Sequence, residues 1–396
     1  MKTFPLDARD AHGPTARLTS VLVFLTASAC AQGESASQEV RADSSAVAAL
    51  IGHGDDWATD FSKISVPPEE IVPGGPPKDG IPAIDEPRFE TPAQAALWLE
   101  GSDPLVVVEH GGEVKAYPLA ILLWHEIVND HVGGRPIAVT FCPLCNTALV
   151  FDRRLAGRTL DFGTTGRLRH SDLLMYDRQT ESWWQQAIGR AIVGELLGAE
   201  LEFIPANTFA WEVVRNLHPD ALVLSRATGH RRDYGRNPYV GYDDPSGSPL
   251  PRFFLAEEDP RLPAMERVVA LDVGDGWAAG FSSLSDVRVV NDSVGDLSFA
   301  VVWTSGAASA VDRSQVSAGR DVGQTAVFDR RLADRILTFE WTGGAMRDRE
   351  TGSGWDLAGR AVAGPLQGQR LRGLPHGNHF WFSWVVFRPN TEVWKR

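Results

Sequence analysis

The run Val128-Asn129-Asp130-His131-Val132-Gly133 returns 162 residues later (290 − 128) as Val290-Asn291-Asp292-Ser293-Val294-Gly295. The match is not isolated. At the same offset Val106, Val107, Gly112 and Ala116 meet Val268, Val269, Gly274 and Ala278. Further on, residues 147–162 (TALVFDRRLAGRTLDF) are echoed by 325–340 (TAVFDRRLADRILTFE), an offset of 178 (325 − 147), so the second copy carries an insertion of 16 residues (178 − 162). DRQTESWW at 177 answers DRETGSGW at 348, and GRAIVG at 189 answers GRAVAG at 359. Ordered self-similarity of this length constrains the fold more than any local propensity does. It predicts two homologous units, near 100–225 and 260–396.

Residues common to both copies are expected to serve the shared scaffold. Asp177, Arg178, Thr180 and Ser182 recur as Asp348, Arg349, Thr351 and Ser353, which suits a turn built on side-chain to backbone hydrogen bonds. Hairpins are predicted at 105–109/114–117 around Gly111-Gly112, at 127–132/135–141 around Gly133-Gly134, and at 148–153/158–162 closed by Gly157. Helices are fewer: one opening at Thr91-Pro92, one over 118–124, and one from Asn207/Thr208 to Leu217. The fold class is α+β and β-rich, a tandem duplication of two mostly-β units with a few short helices.

Residues 1–29 carry Lys2, Arg9 and Arg17 ahead of an uncharged stretch at 18–29, too short to span a bilayer and suited to a signal-peptide core. Thr26-Ala27-Ser28-Ala29-Cys30 fits lipoprotein processing with Cys30 as the lipid-attachment residue; Ala27-x-Ala29 also suits ordinary cleavage. The chain is thus expected in the bacterial cell envelope as a lipoprotein, or periplasmic or secreted. Residues 30–56 read as a flexible tether, 57–225 as an N-terminal segment with the first unit, 226–259 as a linker, and 260–396 as the second unit. With 38 Lys and Arg against 51 Asp and Glu and a formal charge of −13, nucleic acid is excluded as a partner, and membrane contact is expected only through the lipid. A small-molecule or protein partner stays unspecified.

Of three cysteines, Cys142 and Cys145 in FCPLCN are left after Cys30. At offset 162 the motif falls on Thr304, Ser305, Gly306 and Ala307, so only the first copy has thiols. Pro205-Ala206 in turn answers Pro375-His376, and the second copy alone carries His376-Gly377-Asn378-His379 ahead of FWFSW. The blocks WHEIVNDHVGGRPIAVTFCPLCNTALVFDRR, HSDLLMYDRQTESWWQQ, RRDYGRNPY, MRDRETGSGWD and LPHGNHFWFSW resemble the bacterial and archaeal family known as domain of unknown function 3179, over about 57–396. The resemblance ties the Cys and HGNH motifs to one family and implies no reaction.

A thioredoxin-like pair needs a helix N-terminus to lower a thiol pKa. Here the pair is expected between strands, closer to the knuckle of rubredoxins and zinc ribbons, with Asn146 in the left-handed position usually taken by Gly. Two thiolates on such a turn suit a Zn, Cu or Fe ion, with further ligands from His125, His170, His376 or His379 and Met175 as a weaker choice. If the units pack about a pseudo-twofold, His376 or His379 is expected near a cysteine sulfur. His12, His53, His218 and His230 are assigned to the surface, and HEIVN at 125–129 is not a zincin motif. Arg231, Arg232, Tyr234, Arg236 and Tyr239 either grip an anionic or aromatic group or pin the linker. The leading reading is an envelope-anchored metal-binding protein with redox activity at the same CxxC. A thiol–disulfide oxidoreductase using Cys142 and Cys145 and a non-catalytic binding scaffold braced by a structural disulfide are the alternatives, so enzymatic activity is left open.

Overall fold

The computed structural model describes residue 50 and residues 56–396. The leader, Cys30, His12 and His53 lie outside the described residues, and among the described ones no helix is long and apolar enough to cross a membrane. Strand dominates, arranged in several small sheets with five short helices among the described residues.

Two sheets share one layout. In the first, Pro104–His110 pairs antiparallel with Glu113–Pro118 on one side and Ala206–Ala210 on the other, while Leu222–Leu224 adds parallel to Glu113–Pro118. In the second, Arg267–Leu271 pairs antiparallel with Trp277–Gly280 and Gly377–Phe380, and Glu392–Val393 adds parallel to Trp277–Gly280. Each is followed by a helix, Leu119–His125 or Phe281–Val287, and then a three-stranded meander. The meanders are Ile127–Val132, Arg135–Cys142 and Thr147–Asp152, and Val289–Val294, Leu297–Thr304 and Gln324–Asp329.

The turns follow from their residues. Gly111, Gly112, Gly133 and Gly134 all have positive φ, as tight hairpins require, and a Cβ on Gly133 would meet the His110 carbonyl oxygen at 2.3 Å. Asp177 Oδ1 accepts from the Thr180 amide at 2.7 Å, and Asp177 Oδ2 from Trp184 Nε1 at 2.9 Å. Asp348 does the same for Thr351 and Trp355, also at 2.7 and 2.9 Å. This is the scaffold role expected of these residues. Thr91 and Gln94 form a reciprocal capping box ahead of the helix Pro92–Ala95.

Three expectations need correction. The helix expected from Asn207 begins only at Trp211, because Ala206–Ala210 is taken as an edge strand by Pro104–His110. The hairpin at Gly157 shrinks to Arg154–Leu155 and Arg158–Thr159, since Phe162 onward pairs instead with Asp172–Asp177. His218 is not at the surface: it is buried, with Arg360 Nη2 3.0 Å from its Nδ1.

The 226–259 segment is part of the body. The amide of Asn237 donates to Ser314 O at 2.9 Å and that of Tyr242 to Val311 O at 3.1 Å, so it runs along the loop at 305–323 that holds the extra residues of the second meander. Buried Asp243 accepts from Arg267 Nη2 at 2.5 Å, Arg320 Nη1 at 2.9 Å and the Ser309 hydroxyl. Its carboxyl is held below the usual range: burial opposes this, and the guanidiniums and the hydroxyl outweigh it. Removing the carboxylate would leave the buried Arg267 guanidinium without its strongest partner. Asp243→Ala is therefore expected to cost about 3–5 kcal/mol in denaturant unfolding. Loss of the exposed Arg349–Glu340 pair (3.0 Å) in Glu340→Ala should cost under about 1 kcal/mol. Equal losses would contradict the structural weight given to Asp243.

Candidate metal or thiol centre

The strand Arg135–Cys142 is buried beyond its first residue and pairs with Thr147–Asp152, with Cys142 opposite Thr147. The intervening turn closes with the amides of Cys145 and Asn146 donating to Cys142 O and Pro143 O at 3.2 and 3.3 Å. Asn146 has φ 53°, the left-handed geometry expected of it. The thiols are free and both are buried.

From the second half, the Phe380 amide and the Ser383 hydroxyl donate to Cys145 O at 2.9 and 3.1 Å, and Asn146 Nδ2 donates to Asn378 O at 3.3 Å. The HGNH strand thus clamps the cysteine turn through main-chain contacts.

A second hairpin supplies a carboxylate. Phe162–Arg169 and Asp172–Asp177 are joined by His170 and Ser171, both left-handed at φ 52° and 68°, a costly backbone state for two consecutive non-glycine residues. The turn brings Ser171 O to 3.5 Å from Cys142 Sγ, which donates to it, and places Asp172 beside the pair. Among the described residues, the metal-ligand atoms that gather are Cys142 Sγ, Cys145 Sγ and an Asp172 oxygen, all within 4.8 Å of one another. Asp172 Oδ2 accepts from Gln185 Nε2 at 2.6 Å and the Ala187 amide at 2.9 Å. Its Oδ1 is buried with no hydrogen-bond partner.

Glu126 completes the surroundings. It ends the helix Leu119–His125 in a left-handed conformation (φ 56°), and its side chain lines a cavity of about 410 Å³ with Leu144, Leu173, Tyr239, Tyr242 and Phe253. Burial, then the Asp172 charge, raises its carboxyl to about 8. Burial lifts Asp172 to about 7 against the pull of the Ala187 amide and the Gln185 carboxamide. Burial raises the Cys142 thiol, and raises Cys145 further with the Cys142 sulfur adding to it. Among the described residues, neither Asp172 nor Glu126 forms an ion pair. Burial therefore favours the protonated form of all four groups.

The histidines lie outside this group. His125 contacts Pro82 O (Nδ1, 2.7 Å) and the Tyr234 hydroxyl (Nε2, 2.6 Å). His170 Nε2 is 3.2 Å from Glu70 Oε2. His376 Nδ1 lies 2.9 Å from Leu374 O, and His379 Nδ1 2.8 Å from Thr147 Oγ1. Met175 is fully buried in the core beside Leu173 and Trp184.

Tyr239 also lines an adjoining cavity of about 490 Å³ with Arg231 and Arg232. These exposed arginines have no carboxylate partner among the described residues. Tyr234, Asn237 and Tyr242, by contrast, fix the segment.

Sequence reasoning missed Asp172 and Glu126. A signal existed for Glu126: the corresponding residue of the second half, Arg288, has the same backbone (φ 65°) and carries the opposite charge. Its carbonyl accepts from Trp303 as that of Glu126 does from Phe141, so the backbone role is shared while the side chain is not.

The model of the family described as protein of unknown function (DUF3179) matches residues 78–391, and the chain belongs to that family. Neither a curated protein nor a solved structure matches it.

Because Asp172 stays protonated in the native state to about pH 7 and ionises near 4 when unfolded, its burial is neutral in acid and costs stability as pH rises. The buried imidazoles titrate in the opposite sense, so the difference between two proteins isolates the carboxyl. In chelator, the wild type is expected to lose stability relative to Asp172→Asn by up to about 1.4 kcal/mol per pH unit from pH 5 to 7, levelling above 7. A difference that stays constant from pH 5 to 8 would contradict the assignment.

Proposed function

We propose that Cys142, Cys145 and Asp172 bind one soft or borderline metal ion, with a further coordination position on the side of the Glu126 cavity. The observation that carries the reading is the gathering of two free thiols and a carboxylate within 4.8 Å, with Asp172 Oδ1 buried and unpartnered. Burying such groups together is unfavourable unless they stay protonated or share a cation. An ion would displace their protons and satisfy the open oxygen, so binding is coupled to proton release. Two sulfurs and one oxygen suit Zn, Cu or Fe, and a three-ligand set leaves room for a ligand from the cavity. On this reading the protein is anchored in the bacterial envelope through Cys30 and derives from a duplicated unit, of which only the first copy acquired the sulfur and carboxylate groups.

One observation favours a second reading, a thiol–disulfide oxidoreductase. Oxidation of Cys142 and Cys145 by a disulfide partner forms one S–S bond, reduces the partner to two thiols and moves two protons. Asp172 and Glu126, raised to about 7 and about 8, are placed to relay them. Against it stand the burial of both sulfurs and the upward shift of both thiols, which lower the nucleophilic thiolate fraction.

Elemental analysis of untagged protein purified from the envelope separates the two. The metal reading expects about one metal per chain, lost in Cys142→Ser, with affinity lowered at least about tenfold in Asp172→Asn. Metal-free protein that refuses Zn, Cu(I) and Fe(II) on reconstitution would overturn it. If that protein also cycled reversibly between dithiol and disulfide, more slowly in Asp172→Asn, the second reading would stand.

A further inference from the structure

Behind the cysteine turn lies a separate cavity of about 270 Å³, lined by both halves: Leu149 and Phe203 from the first, Leu297, His376, His379 and Trp384 from the second. Its walls are mostly apolar, and the one carboxylate among them, Asp272, is engaged by Arg388 at 2.8 and 2.6 Å. The polar side chain left to a ligand is the His376 imidazole.

The hydrogen bond of His376 fixes its tautomer: Nδ1–H donates to Leu374 O at 2.9 Å, so the ring carries its lone pair on Nε2. His379 is held within the protein instead, with Thr147 Oγ1 2.8 Å from its Nδ1 and its Nε2 buried against Gly377, where a Cβ would lie 2.2 Å from it. Burial lowers His376 to about 4, so its ring stays a neutral acceptor at any physiological pH.

We propose that this cavity binds a small apolar molecule with a hydroxyl or N–H donor, of which a phenol is the simplest type, the donor bonding to His376 Nε2. An apolar cavity of about 150 Å³ takes a benzene, so one of 270 Å³ has room for roughly ten non-hydrogen atoms. The chemistry is that of one apolar face with one polar anchor, the usual form of a small-molecule pocket. This inference does not rest on the metal reading, since it uses none of the proposed metal ligands.

The test titrates the full-length protein with p-cresol and with its methyl ether, 4-methylanisole, which keeps the apolar body and loses the donor. Saturable one-to-one binding of p-cresol is expected, roughly tenfold tighter than the ether, the worth of one net hydrogen bond. The Nε2 ¹⁵N resonance of His376 should shift with p-cresol and not with the ether. His376→Phe should reduce the preference, Leu297→Trp should abolish binding of both probes, and Cys142→Ser/Cys145→Ser should leave p-cresol binding intact. No saturable binding, equal affinity for the two probes with unmoved imidazole resonances, or binding undiminished in a folded Leu297→Trp protein would overturn the proposal.

Discussion

The carbonyl of Cys145 accepts from the Phe380 amide at 2.9 Å, with the Ser383 and Thr147 hydroxyls 3.1 and 3.2 Å from it. Two of the donors come from the second half, so a four-residue turn that would otherwise be held only by its own hairpin is fixed from outside. That clamp sets where both sulfurs lie. Thr147, next to the turn, contacts the His379 ring at 2.8 Å, so the cysteine turn is tied to the wall of the imidazole-lined cavity. Without the clamp, the turn would rest on its own main-chain hydrogen bonds at 3.2 and 3.3 Å.

A division of labour follows between the halves. In the first, the turn after the central meander strand is short and carries sulfur. In the second it becomes the long loop at 305–323, which embraces the connecting segment and pins it through Asp243, Arg267 and Arg320. That segment in turn supplies Tyr239 and Tyr242 to the cavity beside the thiols. Both aromatic hydroxyls are held protonated, chiefly by burial, and Tyr242 adds an unpartnered buried hydroxyl to the wall. The second half contributes no ligand to the sulfur and carboxylate group, yet the group cannot be positioned without it.

Much of this could be read from the residues because the repeated blocks are local. The glycine pairs at 111–112 and 133–134, the Asp177 turn and the left-handed Asn146 each depend on a few adjacent residues, and their spacing carries the geometry. The strand–turn–strand setting of the cysteines was legible for the same reason. Asp172 was not, because its place depends on the strained His170-Ser171 turn folding a different hairpin against the Cys142 strand. The edge strand Ala206–Ala210 escaped too: its residues suit a helix start, and pairing with Pro104–His110 overrides that preference. The sequence tied HGNH to the cysteines as motifs of one family, but could not tell that its main chain rather than its imidazoles would touch the cysteine turn.

The central claim is that two sulfurs and a carboxylate oxygen share one ion, and X-ray absorption at the metal edge tests it most directly. Protein reconstituted with zinc and freed of excess metal should give two sulfur scatterers near about 2.3 Å and oxygen or nitrogen near about 2.0 Å. Asp172→Asn should alter only the light-atom shell. A spectrum with no sulfur neighbours, or one unchanged in a Cys142→Ser/Cys145→Ser protein, would contradict the account.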